Sequence, residues 1–366
     1  MEDWHDAPIV YISGNQVLNF TPQQEDRLRQ YVLEGGLLVF NPDCANPGFK
    51  NSILKQIGAK SGLLKRLFPD YDLRMLPEDH LIFRELFKKS LWKTKINIQA
   101  VGNGTREFAL VFDSIDAARF WQTNLYKGNE STFEVMANIY TYAAGIRQRV
   151  KGDTHILSPV QLAPEKSLKI ARISYRGSYD PEPAGWSRLA VSMLNSKCKL
   201  SVEPIKLGRG QLTDFKIAHL TGNQKFSLDP EELRELKQFL DGGKTLIVDA
   251  CGGDAEFAAS AETLLAQLLG DDARQLSTPL LKTDPIFKGI EIRYRRGANP
   301  KPANVPNGAD LPPQLRAVTR NAKRIVYYSA IDLSTGMVGH EVDGINGYTP
   351  ECALKIMQHI LLKSTE

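Results

Sequence analysis

Around Tyr179 the chain reads Tyr-Asp-Pro-Glu-Pro-Ala-Gly-Trp, which sets two carboxylates, Asp180 and Glu182, between two aromatic residues, Tyr179 and Trp186. Aromatic faces stack on sugar rings and carboxylates accept hydroxyl hydrogens, so the segment suits a carbohydrate or another polyol. The plainer reading, which we favour, has Trp186 packing as the first turn of the helix expected at about 187–194. Asp249 closes a second apolar run, 245–250, and Asp180 follows a third, 168–175. Carboxylates at such places could line the crevice that open α/β sheets form outside their strand C-termini, or cap the next helix. Gly222-Asn223, like Gly14-Asn15, is expected to serve the backbone, because Gly allows positive φ and Asn tolerates it. His219 and His80 read as strand-flanking or loop residues. The sequence holds no Walker A motif and no GxGxxG after a strand, so no phosphate cradle is supported. The run 88–95, Lys-Lys-Ser-Leu-Trp-Lys-Thr-Lys, reads as a solvated edge in preference to a nucleic-acid site.

The elements that must position these residues are written twice. Residues 10–49 and 218–257 align without a gap at a constant offset of 208, with nine identities in forty. Gly14-Asn15-Gln16 matches Gly222-Asn223-Gln224, Pro22 matches Pro230, Leu28 matches Leu236, Gly35 matches Gly243 and Phe49 matches Phe257. Each copy predicts strand, helix, strand. Apolar runs at 9–12 and 217–220 precede Thr21-Pro22-Gln23-Gln24 and Asp229-Pro230-Glu231-Glu232. These put an acceptor at the N-cap, Pro at N1 and Gln or Glu at N3. Helically spaced apolar residues follow, a Gly stops each helix, and runs at 37–40 and 246–248 read as strands covered on both faces. The echo extends further: 80–83 resembles 284–287, 108–112 with Asp116 resembles 324–328 with Asp332, and the helix at 132–144 resembles the one at 349–362. The second copy has an extra leading strand, 168–175, which the first lacks.

The chain is therefore expected to be two tandem α/β units of doubly wound, flavodoxin-like type: residues 1–150, N-terminally shortened, and 167–366, joined by a connector at 151–166. The segment 297–313, with five prolines, reads as a loop inside the second unit. A length of 366 residues suits two domains, and 42% hydrophobic with 24% charged residues describes an ordinary globular chain. A net charge of +4 is too mild to point to nucleic acid, and no apolar run could cross a bilayer. Cys44, Cys198, Cys251 and Cys352 form no CxxC pair, so neither zinc nor a dithiol motif is expected. The polar, acidic start lacks the marks of a signal peptide, so the chain as written reads as cytosolic or as a piece of a longer protein.

The Gly-Asn strand end, the Leu-x-x-aromatic helix, the Gly stop and the strand closing in Asp249-Ala250-Cys251-Gly252-Gly253 resemble an uncharacterised bacterial family, domain of unknown function 4159. The 179–186 segment is similar to that family's opening motif. The resemblance covers nearly the whole chain. It implies a class I glutamine amidotransferase-like fold, related to trehalose-utilisation-like proteins, and a place in longer exported or membrane-attached bacterial proteins. It implies no settled activity.

In glutaminase-like relatives of this fold a helix, a Gly, a strand and a sharp turn present a nucleophilic Cys. Here Gly243, the run 245–250 and Cys251 fall in that order, and Gly252-Gly253 would permit the turn. Backbone N–H groups at such a turn can depress a thiol pKa and cradle an oxyanion. The first copy departs from this, with Asp43 in place of Cys251 and Cys44 one position later. The His-x-Glu pair of the relatives is absent, leaving His340-Glu341 as the nearest base. The bland readings are a small buried Cys at a tight turn and a surface-loop His.

The favoured function is a non-catalytic ligand-binding module, with carbohydrate the suggested ligand class, or a scaffold. Its crevice would lie at the second unit's strand C-termini, among Tyr179, Asp180, Glu182, Trp186, Gly222, Asn223, Asp249, Gly252 and Gly253. The alternatives are a hydrolase or amidotransferase using Cys251 and His340, and a structural module of an envelope protein. No cofactor, metal, nucleic acid or membrane insertion is expected.

Overall fold

The computed structural model describes residues 2–55, 61–145, 154–295 and 312–364. The chain divides into two compact units, 1–156 with 340–344, and 157–339 with 345–366. The connector expected at 151–166 lies partly outside the described residues, and so does most of the proline-rich loop. Among the described residues no helix is long and apolar enough to cross a membrane.

The first unit holds β1 (Ile9–Gly14), β2 (Leu37–Pro42), β3 (Arg74–Met75), β4 (Ile98–Gly102) and β5 (Glu107–Phe112), in sheet order β1-β2-β5-β4-β3. β1, β2 and β5 are parallel, while β4 and β3 run antiparallel at the other edge. The second unit holds β6 (Lys166–Ser174), β7 (Cys198–Lys206), β8 (Ile217–Gly222), β9 (Thr245–Ala250), β10 (Arg316–Arg320) and β11 (Lys323–Ser329), in order β10-β11-β9-β8-β6-β7. All are parallel to their neighbours except the edge strand β10. Both units are thus mixed α/β with mostly parallel sheets. The second carries two strands, β6 and β7, without counterparts among the described residues of the first. β7, whose alternation of exposed and half-buried residues suits an edge, was not anticipated from the sequence beside the expected β6.

The repeated helices form for the reasons their sequences give. Thr21 accepts from the Gln24 backbone and Gln24 returns the bond to Thr21, and Asp229 with Glu232 does the same before Pro230–Asp241. Leu236, Phe239 and Leu240 bury one stripe of that helix against Ala218, Leu220, Leu246 and Val248. Ile217, Ile247 and Tyr327 point to the opposite face of the sheet, where Trp186, Leu189 and Met193 of Ala184–Asn195 and Ile356 and Ile360 of Pro350–Lys363 cover them. The short turns echo as well: His80 caps Leu81–Phe83 as Asp284 caps Pro285–Phe287. The β5/β11 echo differs by one residue. Leu38 faces Ala109 and Leu246 faces Val326, so the link from strand to Asp is one residue longer in the first unit.

Two details correct the sequence reading. Neither Gly14 nor Gly222 has positive φ. The glycine is needed for space: a Cβ at Gly222 would lie 2.0 Å from Tyr175 Oη and 2.8 Å from the Phe257 ring, and one at Gly14 would lie 2.8 Å from the Phe49 ring. His219 does not flank a strand. It sits within β8 and is wholly buried.

Candidate functional site

On the face of the second sheet that packs against Ala184–Asn195, the apolar pattern turns polar toward the strand C-termini. Arg172 and His219 are register partners on β6 and β8, and Thr221 and Asp249 are partners on β8 and β9. Successive residues alternate faces, so Arg172, His219, Thr221 and Asp249 all emerge on the same side.

His219 Nε2 lies 2.6 Å from Asp249 Oδ1, both side chains fully enclosed. The Ser334 hydroxyl donates to the same oxygen at 3.0 Å, and the Leu333 and Ser334 backbone N–H groups donate to Oδ2 at 3.1 and 2.9 Å. Burial pushes the Asp249 carboxyl up, but the His219 bond and these backbone donors outweigh it and hold it below the usual range. The Trp186 ring stands edge-on to His219, with centroids 5.0 Å apart. His219 Nδ1 and Arg172 Nε are buried with no hydrogen-bond partner among the described residues.

Asp332 forms a second knot. Its Oδ1 accepts from the backbone of Gly252 at 2.8 Å and Thr335 at 2.9 Å, and its Oδ2 accepts from Gly336 at 2.9 Å. Burial pushes Asp332 up to about 6, Arg295 opposes that, and the neighbouring Asp249 charge adds to it. Nearer the surface, Asp180 Oδ2 pairs with Arg172 Nη2 at 2.6 Å. Burial also pushes Asp180 up to about 6, against the pull of Arg172 and His219 and with help from Glu182.

Cys251 opens the turn after β9 and is fully buried, its Sγ 3.4 Å from Thr335 Oγ1. Burial pushes its thiol well above the ordinary value, and the carboxylates of Asp332, Glu182 and Asp249 push it the same way. The tight turn is present, with Gly252 and Gly253 both at φ 71°, but its nearest electrostatic company is acidic. His340 belongs to the 340–344 segment of the first unit and is only 3% exposed, so it is not a surface-loop residue. Its ring packs edge-on against His155, centroids 5.4 Å apart.

The sequence-derived site residues fall into two groups. Glu182, Trp186, Gly222, Asp249 and Cys251 are enclosed, while Tyr179, Asp180, Asn223, Gly252 and Gly253 are half-exposed. Trp186 stands in the first turn of its helix at 4% exposure. Arg172, His219, Asp332 and Ser334, which organise the cluster, were not assigned to the site from sequence: His219 read as strand-flanking or loop, and Asp332 entered only as the repeat partner of Asp116. The available signal was a His inside an apolar run and an Asp repeated after the matching strand of each copy. An open cleft of about 640 Å³ lies beside β6 and β7, lined by Ser174, Tyr175, Arg176, Lys206 and the start of Pro230–Asp241. Among the described residues no group of three or more His, Cys, Asp or Glu could hold a metal ion.

The first unit repeats this architecture with other side chains. Tyr11, Ser13 and Asn41 stand where the second unit has His219, Thr221 and Asp249. Asn41 accepts from the Ala117 backbone at 3.0 Å and donates to Asp116 at 3.0 Å. Asp116 accepts from the Cys44 backbone at 2.6 Å, as Asp332 accepts from Gly252. The tight turn uses left-handed Cys44 and Ala45, at φ 51° and 54°, in place of two glycines.

No functionally curated protein matches the chain. A family profile described as domain of unknown function, DUF4159, matches residues 2–143 and again 169–362. Two matches that follow the two compact units and together span most of the sequence settle the affiliation: the chain belongs to the DUF4159 family and carries its domain twice.

Proposed function

We propose that the protein is a non-catalytic binding or scaffolding module, built from two flavodoxin-like units of the glutamine amidotransferase type. Its ligand is a small polar molecule of the carbohydrate class, received by the second unit at the C-terminal edge of its parallel strands. The half-exposed groups there, Tyr179, Asp180, Asn223 and the Gly252-Gly253 turn, would meet it. Asp180 would accept hydroxyl hydrogens, with Arg172 fixing its orientation. Trp186 contributes by packing against His219 behind the site, not by stacking on a sugar.

The observation that carries the non-catalytic reading is the state of Cys251. A nucleophilic cysteine must be reachable and must ionise near neutral pH. This thiol is enclosed and held protonated by burial and three acidic neighbours. Its role is to fill the turn.

Iodoacetamide labelling of the native protein, read by peptide mass spectrometry between pH 6 and 9, tests this. Exposed Cys44 is expected to label as an ordinary thiol, and Cys251 only once the protein is unfolded. Native labelling of Cys251 at pH 7, faster than a free thiol, would return the hydrolase reading. For the ligand, glycan-array binding should be lost in Asp180→Asn while the melting temperature is kept. An array with no hits would remove the carbohydrate class.

A further inference from the structure

At the opposite end of the second sheet, a concavity of about 1160 Å³ lies over the N-terminal ends of the strands. Among the described residues, seven cationic side chains line it and one carboxylate, Asp214, opposes them. That local excess of six charges exceeds the +4 of the whole chain, so the rest of the molecule is slightly acidic.

Sheet topology orders the charges. Four adjacent parallel strands, β11, β9, β8 and β6, begin at or just after basic residues. Register places Arg324, Lys244, Lys216 and Lys169 side by side, because Leu246 faces Val326, Ile217 faces Thr245 and Ile170 faces Ile217. At the usual inter-strand spacing of about 4.8 Å, this row is roughly 14 Å long. Lys323 and Lys166, at the first positions of β11 and β6, also line the concavity. Arg324 is paired with Asp284, and Lys169 with Glu203 at 3.1 Å. Lys166, Lys216 and Lys323 are exposed and have no carboxylate partner among the described residues.

Lysines beside helix C-termini can simply balance the helix dipole. The first unit shows that the fold does not need them. Its corresponding strands start at Pro8, Gly36 and Arg106-Glu107, and the C-cap of the matching helix is Glu34. Arg106 is buried and spends its guanidinium on the Val32 carbonyl at 2.7 Å, while Glu107 pairs with Arg74 at 2.5 Å. The same backbone end is therefore closed by internal bonds in one unit, while in the other Lys244 bonds the Thr213 carbonyl at 2.5 Å and Lys166, Lys216 and Lys323 carry charge with no carboxylate partner among the described residues.

We infer that this concavity is an anion site that receives a compact ligand bearing several phosphate groups. Lysines act as mobile point charges suited to phosphate without fixed geometry. Among the described residues, the one aromatic side chain lining the concavity, Tyr327, is 1% exposed and offers no face on which a nucleobase could stack. The volume, about 1160 Å³, lies slightly above the usual small-molecule range of about 300–1,000 Å³ and leaves room for a multiply charged ligand with its water.

Titration calorimetry with inorganic tripolyphosphate at low ionic strength tests the site on the full chain. Saturable 1:1 binding is expected, weakening as salt is raised. The double variant Lys166→Gln/Lys216→Gln should bind at least about tenfold more weakly with an unchanged melting temperature, since both side chains are exposed. Lys225→Gln, at the other end of the sheet, should bind like the parent. The inference fails if the parent does not bind tripolyphosphate, or if the double variant binds as well as the parent. It also fails if an oligothymidylate or a polyglutamate peptide binds where tripolyphosphate does not.

Discussion

Asp116 and Asp332 hold the same place in the two units, and their carboxyls are pulled in opposite directions. Each accepts the backbone N–H of a left-handed residue in the turn after the neighbouring strand. Asp116 is half-buried; burial pushes it up, but the Cys44 backbone and the neutral Asn41 side chain donate to it and hold it below the usual range. Asp332 is wholly buried beside Asp249, which is a second negative charge, and rises to about 6. One backbone frame thus carries a Tyr–Asn pair beside its turn carboxylate in the first unit and a His–Asp pair in the second. What distinguishes them is the change from Tyr11 and Asn41 to His219 and Asp249. The helix Ala184–Asn195, which has no counterpart among the described residues of the first unit, covers the His219–Asp249 pair and supplies Trp186. In the first unit Trp121, from a different helix, packs 5.7 Å from Tyr11.

The largest effect should come from opening the His219–Asp249 pair. His219→Ala leaves an enclosed carboxylate without its partner and should cost about 3–5 kcal/mol in urea unfolding. Replacing both partners by a neutral pair, His219→Gln with Asp249→Asn, should cost clearly less than His219→Ala alone, because no charge is stranded. Equal losses would mean that the pair is not coupled and that the contrast with Tyr11 and Asn41 has no energetic content.

The turns give a smaller contrast. Gly252→Ala forces a side chain into left-handed backbone and should destabilise by about 1–2 kcal/mol. Ala45→Gly, at the matching turn of the first unit, should stabilise by a few tenths of a kcal/mol, strain relief slightly exceeding the added unfolded-state entropy. Changes of the same sign at both turns would show that the two are not strained alike.

The smallest signal is the pH dependence. A carboxyl raised by folding binds its proton more tightly in the folded state. The stability contributed by Asp332 and Asp180 is therefore fully present below the unfolded value near 3.8 and lost as pH rises through about 6. Asp116 and Asp249 are lowered, so their contributions are present above the ordinary range and lost as pH falls. Carboxyl ¹³C NMR should place Asp332 near pH 6, and Asp249→Asn should move it down toward Asp116. An unmoved Asp332 would assign its shift to burial alone.

Much of the fold was legible because it rests on short-range chemistry. The capping boxes at Thr21 and Asp229, the glycine stops at Gly35 and Gly243, and the apolar runs that became β2 and β9 are local patterns with local causes. The repeat was legible because both copies need the same caps and the same buried stripe. β7 was not, because an edge strand with one wet face shows no continuous apolar run. Gly222 was recognised as necessary but for the wrong reason, since the Tyr175 and Phe257 atoms that require it come from other elements. The site was half legible. Asp249 and Asp180 stood out as carboxylates near strand ends, whereas the Arg172–His219 adjacency depends on which strands pair and in what register.

From its residues alone, this chain determined two α/β units, the caps and stops of their helices, and the sharp Gly252-Gly253 turn after β9. These follow from backbone donors, φ preferences and side-chain periodicity within a few residues of one another. Only the tertiary structure decided the charge states of the second unit's strand ends, the enclosure of Cys251 among carboxylates, and the alignment of lysines along one sheet edge. Desolvation and Coulomb forces act through space, and strand pairing alone brings together groups that lie tens of residues apart in the chain.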